Sequence, residues 1–544
     1  MVKKTGRKLT YDYIVVGTGP AGAVIAKTLS DSKSASVLVL EAGENEDQDR
    51  PITDSTFAPE LEERFFPQYF WQGEGVPQKG VDDRSFEWTT GRLSGGGSSI
   101  NGEQYVRPTS AVFEEWEALL GPLWSPEQAI RGFKWLEKYN GATDDPSVHG
   151  YKGRVDIRQA PANPTSMAHK LVAAIESATG FGEILDYNDP ATPLGPFTRW
   201  QLYQQPDGRR ESSSTAFLSA DIAGPDGRGL NGRKLRVFYK STALRVLFEN
   251  KRAIGVEFLR EGKCLRAFAR KKVILSAGIN SAQLLMLSGI GPSRELRTAG
   301  IPVIFHNPNV GKRLRNHTLN FAVFSTNPDD SPLPRQDPSA LYTGGAFLPD
   351  PSPGANPNRR GVQLVGIGGE DHTLTIAILY LRPKSRGSIR LQSDDPLQIV
   401  LADEGFLDNP EDLEAVKRIY RVYIKNIASE LAAIDPSYTL ISPSPDVIDN
   451  DSELESFIKD NFDHNHHQQG SLRMAPLRRG GVVDSRGRVH GVRDLIVADD
   501  SIIPFTVDGN TSAPAFLIGW TIAQQLRTRG RRLRRASGPA GFEE

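Results

Sequence analysis

Three of the nine histidines in this 544-residue chain lie close together, in the segment FDHNHHQQGS. They are His464, His466 and His467, and imidazole chemistry offers three interpretations: a metal ligand, a proton-transferring base or a hydrogen-bonded loop residue. Zinc needs three or four ligands in fixed geometry, whereas neighbouring residues of a regular element point in different directions. A metal site is therefore disfavoured, and the choice between base and loop residue stays open for each histidine.

A second candidate for chemistry is the glycine turn in YDYIVVGTGPAGAVIAKTLSDSKSASVLVLEAG. Gly17, Gly19 and Gly22 form the pattern G-x-G-x-x-G between a β-branched run and an alanine-rich helical stretch. The first glycine makes the tight turn, the second lets the backbone approach a pyrophosphate, and the third allows close helix packing. Glu41 ends the next predicted strand, where a carboxylate accepts hydrogen bonds from a ribose diol. The pattern predicts a βαβ dinucleotide site without separating FAD from NAD.

A second glycine-rich run reads GRLSGGGSSINGEQYVR. It has no predicted strand before it and no Walker lysine, so it is not a phosphate loop of the NTPase kind. Its small residues would let backbone amides reach an extended cofactor. By composition alone, a flexible linker is an equally good interpretation.

The bulk composition narrows the class of partner. Lys and Arg number 65 against 66 Asp and Glu, which gives no global electrostatic case for nucleic acid or an anionic membrane. No apolar run reaches the roughly 18 residues of a membrane span, and the basic start lacks the apolar run of a signal peptide. The single cysteine, Cys264, excludes intrachain disulfides and fits a reducing compartment. We expect a small-molecule partner, no nucleic acid, no membrane, no metal and a cytoplasmic location.

Other patterns predict the elements that position these residues. An antiparallel meander is predicted in KLRVFYKSTALRVLFENKRAIGVEFL, a strand and helix in KKVILSAGINSAQLLMLSGIG, and a helix in NPEDLEAVKRIYRVYIKNIASELA. Residues from about 161 to 233 lack a sustained period and are predicted as loops. The stretch NPDDSPLPRQDPSALYTGGAFLPDPSPGANPNRRG is predicted as a surface loop or lid, with an interdomain linker as the alternative. The tail RTRGRRLRRASGPAGFEE is predicted to be solvated and frayed.

Four separated segments resemble the glucose-methanol-choline (GMC) family of FAD oxidoreductases. They are the βαβ unit with Glu41, the run from Gly91 to Asn101, the run SAGINSAQLLMLSGIGP, and the stretch VVDSRGRVHGVRDLIVADDSIIPFTVDGNTSAPAFLIGWTIAQQL. The resemblance implies FAD as the cofactor. Beside the glycines and carboxylate of the βαβ unit, it implies cofactor contacts at Arg92, Gly96, Gly97, Ser98, Asn101 and Asp499.

The resemblance also implies the fold. An α/β class is expected, in which a Rossmann-like FAD-binding domain is interleaved with an α+β substrate domain built on an antiparallel sheet. The expected FAD-binding domain comprises residues 1–160, 232–315 and 475–535. The expected substrate-binding domain comprises residues 161–231 and 316–474, and residues 536–544 are expected to form a flexible tail.

In the family, a histidine stands three residues before the glycine of a Gly-Ser pair, which here makes it His467. A second polar group matches Asn510 in DGNTSAP, with Ser512 as the alternative. Oxidising an alcohol requires removal of the hydroxyl proton and departure of hydride from the same carbon, and imidazole suits the proton transfer near neutral pH. His467 is therefore expected as the base, and the amide as a donor to the substrate oxygen.

The implied reaction converts an alcohol to an aldehyde or ketone, with hydride passing to flavin N5 and oxygen or another acceptor reoxidising the flavin. An FAD-containing enzyme of the hydroxynitrile lyase type is the alternative, but those relatives carry histidine at the second catalytic position. Some members tether FAD to a histidine where this chain has Ile100, so a non-covalent flavin is expected. The segment NVGKRLRNH is similar to another family segment, and its His317 is expected to be structural.

Overall fold

Two seven-stranded sheets organise the part of the chain that the computed structural model describes, residues 9–61, 66–73, 75–369 and 371–536. The strands of the first sheet are, in spatial order, Ser241–Glu249, Arg252–Arg260, Lys263–Leu275, Leu9–Val16, Val37–Leu40 and Leu235–Phe238, with Leu495–Val497 also paired to Lys263–Leu275. Those of the second sheet are Leu440–Ser442, Thr318–Ser325, Thr373–Tyr380, Val362–Gly368, Gly345–Leu348 and Gly195–Phe197, with Asp463–His464 also paired to Thr318–Ser325.

Smaller sheets and helices complete the described part of the chain. The strands of the small sheets are Phe70–Gly73 with Trp88–Gly91; Glu137–Asn140 with Val155–Ala160 and Trp200–Leu202; Ile290–Gly291 with Phe305–His306; and Lys312–Leu314 with Gly387–Arg390 and Leu401–Asp403. The α-helices are Pro20–Ser30, Arg50–Thr53, Ser110–Leu120, Pro126–Leu136, Ser166–Thr179, Ser213–Phe217, Asn280–Leu287, Ser293–Thr298, Pro410–Ile419, Lys425–Ile434, Pro445–Asp449, Asp451–Asp460 and Ser512–Ala536.

The predicted βαβ unit forms the centre of the first sheet. Leu9–Val16 pairs in parallel with Val37–Leu40, whose four apolar residues are all buried, as a strand covered on both faces requires. Between them, Gly17 turns the chain with φ of +98°, and an added Cβ there would lie 2.3 Å from the Ser276 carbonyl oxygen. Only glycine fits this turn, which delivers the chain to the start of the helix Pro20–Ser30.

The long helix Ser512–Ala536 packs against the helix Pro20–Ser30. The two backbones approach closely at Gly519, where an added Cβ would lie 2.6 Å from the Cα atom of Ala21. Their buried apolar side chains join the same core as the first sheet. Residues from the two ends of the chain therefore build one layer behind the glycine turn.

The second sheet is antiparallel and packs helices on one face. Side chains such as Phe324, Ile376 and Leu364 share a core with Ser166–Thr179 and Lys425–Ile434. The opposite face carries a separate apolar cluster. Alternation along each strand thus gives the two faces of this sheet different surroundings.

Two strands differ from the sequence-based expectations. Leu235–Phe238 was expected in the antiparallel meander, but it pairs in parallel with Val37–Leu40, while Ser241–Glu249 and Arg252–Arg260 form the hairpin. The second glycine run does have a strand before it, because Trp88–Gly91 pairs with Phe70–Gly73. The first pairing joins strands that are distant in the sequence. The strands of the second pairing have four residues each, which is too short to show an alternating hydrophobic pattern.

Two segments predicted as loops contain regular elements. The helix Ser166–Thr179 begins with a Thr165 side chain that accepts a hydrogen bond from the Ala168 amide, and buries an apolar stripe. The strand Gly345–Leu348 is buried throughout, so tertiary packing outweighs the prolines and glycines around it. Residues 410–434 are helical as predicted, with a π turn between two α-helices.

The last element of the described chain is the helix Ser512–Ala536. The last helix continues to residue 536, so the first part of the predicted frayed tail is helical. Residues 537–544, which make up nearly all of the predicted flexible tail, lie outside the described residues.

Cys264 is an exposed residue of the strand Lys263–Leu275. The division into two interleaved domains stays a proposal.

Candidate active site

Residues of both large sheets line one cavity of about 560 Å³. Most of the side chains and glycines singled out from the sequence meet there. They are Gly17, Gly19, Glu41, Gly96, Gly97, Ser98, Asn101, His467, Asp499, Asn510 and Ser512. Segments more than 400 positions apart in the chain therefore converge on a single site.

The glycine turns leave part of this cavity open. An added Cβ at Gly19 or Gly97 would meet nothing within 4 Å, and the helix that follows Gly19 has no side-chain cap. The two turns are joined, because the Gly95 amide donates to Thr18 Oγ1 at 3.1 Å. Free amides at a helix N-terminus attract anions, so this corner fits the pyrophosphate of a dinucleotide.

The Glu41 carboxylate is held at the edge of the same corner. Its Oε2 accepts hydrogen bonds from the Thr18 amide at 2.9 Å and from Thr18 Oγ1 at 2.6 Å, and its Oε1 accepts from the Gly43 amide at 3.0 Å. Burial raises the pKa of Glu41 despite these bonds. These three hydrogen bonds leave acceptor positions unused on the two carboxylate oxygens. The hydroxyl groups of a ribose diol can donate to such positions.

Asp499 is fixed at the opposite side of the glycine turn. Its Oδ2 accepts from Ser281 Oγ at 2.5 Å and from the Gly278 amide at 3.1 Å, while Oδ1 accepts from the Ser501 amide at 3.0 Å. Burial raises the pKa of Asp499 to about 6. The Ser501 hydroxyl also donates to Oδ1, so four donors set the position of this carboxylate beside the cavity.

Two predicted cofactor residues do not line the cavity. Gly22 packs inside the unit, where an added Cβ would lie 2.2 Å from the Gly17 carbonyl oxygen, in agreement with its expected packing role. The guanidinium of Arg92 lies 4.7 Å from the ring centroid of Trp71, which itself lines the cavity. A cofactor contact by Arg92 stays a prediction.

His467 and Asn510 form a hydrogen-bonded pair in this cavity. The Asn510 Nδ2 atom lies 3.2 Å from His467 Nε2. The Asn510 Oδ1 atom faces Gln363 Nε2 at 3.4 Å, and this contact directs the amide nitrogen towards the imidazole. Burial lowers the pKa of His467 well below its usual range, and His317 and His466 lower it further. The ring is therefore neutral near neutral pH and able to accept a proton.

His317 determines which nitrogen of His467 accepts that proton. His317 Nε2 lies 2.8 Å from the Val507 carbonyl oxygen, which only accepts, so Nε2 carries hydrogen. Burial lowers the pKa of His317 to about 4, so the ring is neutral and its Nδ1 accepts. The facing His467 Nδ1, 2.9 Å away, must then be the donor. The lone pair of His467 lies on Nε2, the atom that faces Asn510.

The loop around His467 also contacts its ring. Asn465 Nδ2 lies 3.0 Å from His467 Nδ1, so with Nδ1 as a donor this amide must be turned by half a rotation about its side-chain bond to place the oxygen there. The His467 backbone amide donates to Asn316 Oδ1 at 2.9 Å. His467 is thus held at both its ring and its backbone.

Sequence reasoning missed two of these supporting residues. His317 was expected to be structural, and the structure adds a direct hydrogen bond to His467. Gln363 was not singled out, although a glutamine in the otherwise apolar strand VQLVGIG is a signal that could have identified it. Of the other two clustered histidines, His466 lines the cavity and His464 does not, and their rings lie 4.1 Å apart.

Glu404 is a buried carboxylate beside this loop that the sequence did not reveal. Its Oε1 accepts from Gln468 Nε2 at 3.1 Å, one residue beyond His467. Burial raises the pKa of Glu404 to about 7. A group that titrates near neutral pH therefore contacts the loop that carries the base.

Replacing Glu404 by glutamine is expected to raise thermal stability relative to wild type at pH 8 but not at pH 5. The folded-state pKa of about 7 lies above the ordinary 4.5, so the folded protein keeps a proton that the unfolded chain releases. Wild-type stability therefore falls as pH rises through this range, by up to about 3 kcal/mol, and an amide escapes the loss. Calorimetric unfolding temperatures of both proteins across this range test the point. A difference in unfolding temperature between the two proteins that does not change with pH would contradict this prediction.

The described residues contain neither a membrane-spanning helix nor a cluster of side chains arranged as a metal site. No helix there is both long and apolar enough to cross a membrane. No cluster of three or more His, Cys, Asp or Glu side chains is arranged to hold a metal ion in the same residues.

A neutral imidazole and a glycine-lined corner that fits a dinucleotide share one cavity, and this combination indicates a dinucleotide-dependent oxidoreductase. Comparison with known proteins makes the class specific. The GMC oxidoreductase family matches residues 11–319 with its amino-terminal part and residues 383–519 with its carboxyl-terminal part. The chain belongs to the GMC oxidoreductase family.

Individual relatives agree with this assignment. An alcohol dehydrogenase [acceptor] of Pseudomonas putida is 31% identical, over 94% of this chain and 95% of that protein. An oxygen-dependent choline dehydrogenase of Yersinia pseudotuberculosis is 30% identical, over 95% of this chain and 94% of that protein. The crystal structure of pyridoxine 4-oxidase from Mesorbium loti superposes with a TM-score of 0.83 at 24% identity, covering 95% of this chain and 99% of that one.

These comparisons confirm three sequence-based predictions: the family, the α/β fold class with an antiparallel second sheet, and a GMC-type FAD-dependent alcohol oxidoreductase as the kind of enzyme. The roles of individual residues stay predictions.

Proposed function

We propose that this enzyme oxidises an alcohol to an aldehyde or ketone, with His467 as the base and Asn510 as the donor that holds the substrate oxygen. The observation that carries the proposal is the pair itself. A neutral imidazole turns its unprotonated Nε2 towards an amide nitrogen 3.2 Å away, inside the cavity that the dinucleotide cradle also lines.

The residues present fit FAD as the cofactor. The uncapped helix start and the open space at Gly19 and Gly97 would receive the pyrophosphate. Glu41 would hold the ribose of the adenosine half. When bound, FAD supplies the acceptor for the hydride at its N5 atom.

The side chains of the pair divide the remaining chemistry. The substrate hydroxyl donates its proton to His467 Nε2 while the carbinol carbon loses hydride, so one proton and one hydride, two hydrogens and two electrons in all, leave as the carbonyl forms. Negative charge that develops on the oxygen is stabilised by the Asn510 Nδ2 hydrogens. Since His467 Nδ1 already donates to His317, the imidazolium that results keeps a hydrogen-bond partner on its other side.

Asn510 is preferred over Ser512 as the second catalytic group. Asn510 contacts His467 directly. The Ser512 hydroxyl oxygen is buried, although the residue lines the cavity. We therefore assign the role of donor to the developing alkoxide to the Asn510 amide.

Three finer points belong to this proposal. Oxygen or another small acceptor reoxidises the flavin. The two interleaved domains have the boundaries expected from the sequence, with the catalytic pair at their junction. The enzyme works in the cytoplasm, where an exposed lone cysteine such as Cys264 is kept reduced.

An anaerobic spectrum of the flavin-loaded enzyme, titrated with a panel of alcohols and then opened to air, tests the proposed reaction. Loss of the flavin absorbance with an alcohol, together with formation of the carbonyl product, is the expected result. Return of the absorbance in air with release of peroxide would identify oxygen as the acceptor. Flavin that stays oxidised while a cyanohydrin is cleaved would contradict the proposal and support the lyase alternative.

The flavin is expected to leave the protein completely on denaturation. Ile100 lines the cavity at the position where some family members carry the tethering histidine, and its aliphatic side chain has no nucleophilic atom. Acid precipitation followed by absorbance of the supernatant checks this prediction. Yellow colour that remains with the precipitated protein would show a covalent flavin and contradict it.

A further inference from the structure

One wall of the cavity is apolar. It belongs to the face of the second sheet that carries the separate apolar cluster, and it meets the cavity through alternating residues of three adjacent strands. Cross-strand pairing places Phe321 beside Ala377 and Ala377 beside Val365, in one row. The side chains of this wall that line the cavity are Leu319, Phe321, Val365, Ile367, Ala377 and Leu379.

One amide on the same face of the sheet is already used in positioning. Gln363 is the neighbour of Leu379 in the adjacent strand. Its Nε2 donates to Gln104 Oε1 at 2.8 Å and contacts Asn510 Oδ1 at 3.4 Å. This amide is therefore held beside Asn510 and adds no separate polar group to the wall.

The carboxylates among the described lining residues are either paired within the protein or buried. Glu41 and Asp499 hold backbone amides and hydroxyls, as described above. Glu103 is buried and forms an ion pair with Arg210 at 3.1 Å. Burial raises the pKa of Asp500 well above its usual range, and its Oδ1 atom is inaccessible. Within the described lining, no carboxylate is thus available to a cationic substrate.

The open side of the cavity is apolar too. Ile367 and Leu397 line it with 39% and 51% of their surfaces exposed. Tyr342 adds an aromatic ring, and its hydroxyl is occupied because it donates to the Gly102 carbonyl oxygen at 2.6 Å. An apolar body that enters the chamber would cover these groups.

We infer that the substrate is an uncharged alcohol with an apolar body, aromatic or branched aliphatic, and a hydroxyl group at one end. The inference rests on the proposed alcohol oxidation and adds the class of substrate. A cationic alcohol such as choline would lose the hydration of its ammonium group in this chamber without gaining an anionic partner. Rings can also hold quaternary ammonium, but the wall is mainly aliphatic, so the neutral molecule is favoured.

A pair of alcohols of equal shape tests this inference directly. In 3,3-dimethylbutan-1-ol, carbon replaces the quaternary nitrogen of choline, so the two molecules differ in charge and hardly in size. Anaerobic stopped-flow measurement of flavin reduction is expected to give a second-order rate constant at least about 100-fold higher for the neutral alcohol. Benzyl alcohol is expected to behave like the neutral alcohol. Equal rate constants, or a preference for choline, would overturn the inference and leave alcohol oxidation intact.

A charge introduced on the wall should reverse the preference. Val365→Glu places a carboxylate in the chamber, and Val365→Gln is its uncharged control of equal size. Relative to the control, the glutamate variant is expected to improve the ratio of choline to neutral alcohol by at least about tenfold. An unchanged ratio in a variant that binds flavin normally would count against the inference.

Ligand binding without turnover separates failure of this inference from failure of the proposed function. Toluene is expected to raise the unfolding temperature of the wild-type enzyme and to shift its oxidised flavin spectrum, whereas tetramethylammonium is expected to do neither. If no alcohol reduces the flavin but toluene binds, the proposed reaction fails and the apolar chamber stands. If tetramethylammonium binds and toluene does not, the inference is overturned.

Discussion

Replacing His467 by alanine is expected to lower the rate constant of flavin reduction by alcohol about 10²–10⁴-fold, the usual contribution of a positioned general base. Its Nε2 is the unprotonated ring nitrogen that faces Asn510, and a methyl group cannot take the hydroxyl proton. The flavin should stay bound, because the glycine turns and Glu41 are untouched. Single-turnover stopped-flow kinetics with a saturating alcohol measures the loss.

His464→Ala is the matched control for this variant. It removes an imidazole from the same loop, but His464 does not line the cavity. The control is expected to stay within about tenfold of wild type, since it cannot reach the substrate. Equal losses in the two variants at equal flavin content would show that the loop, and not the base, had been damaged, and the assignment of His467 would fail.

Replacing Asn510 by alanine is expected to lower the same rate constant about 10²–10³-fold, as removal of one oxyanion donor does. The amide nitrogen is the donor that faces His467 Nε2, and its orientation is set by Gln363. The dissociation constant of the alcohol should change less than the rate constant, because negative charge on the oxygen develops in the transition state. Saturation curves of stopped-flow rates separate the two quantities.

Ser512→Ala distinguishes the two candidates for the second catalytic group. The Ser512 hydroxyl oxygen is buried, so its removal is expected to cost less than about tenfold in the rate constant. A larger loss in Ser512→Ala than in Asn510→Ala would transfer the donor role to the serine and contradict the assignment made from the geometry.

Local patterns predicted the parts of this site that depend on neighbours in the chain. The turn at Gly17 needs a backbone that only glycine adopts, and the carboxylate of Glu41 follows at the end of the next strand, so both are visible in about 25 residues. The assignments of His467 and Asn510 came from family resemblance together with the proton chemistry of alcohol oxidation. The structure then brought both side chains into one cavity.

Contacts across long stretches of sequence could not be predicted in the same way. His317 lies 150 positions from His467, and Gln363 lies 147 positions from Asn510. The parallel pairing of Leu235–Phe238 with Val37–Leu40 depends on a crossover that no local period records. The helix Ser166–Thr179 was hidden because the Pro- and Asn-rich segments around it obscured a short apolar stripe.

The packing of the last long helix on the first helix has a consequence for synthesis of the protein. Ala21 is covered by Gly519, and the loop before Ser512 supplies Asn510. While the ribosome is still making the middle of the chain, the helix Pro20–Ser30 lacks the long helix that packs on it, and the cavity lacks Asn510. Folding from the amino terminus can therefore begin early, but cofactor capture must wait for nearly the whole chain to emerge. We expect nascent chains that stop before residue 510 to hold no flavin.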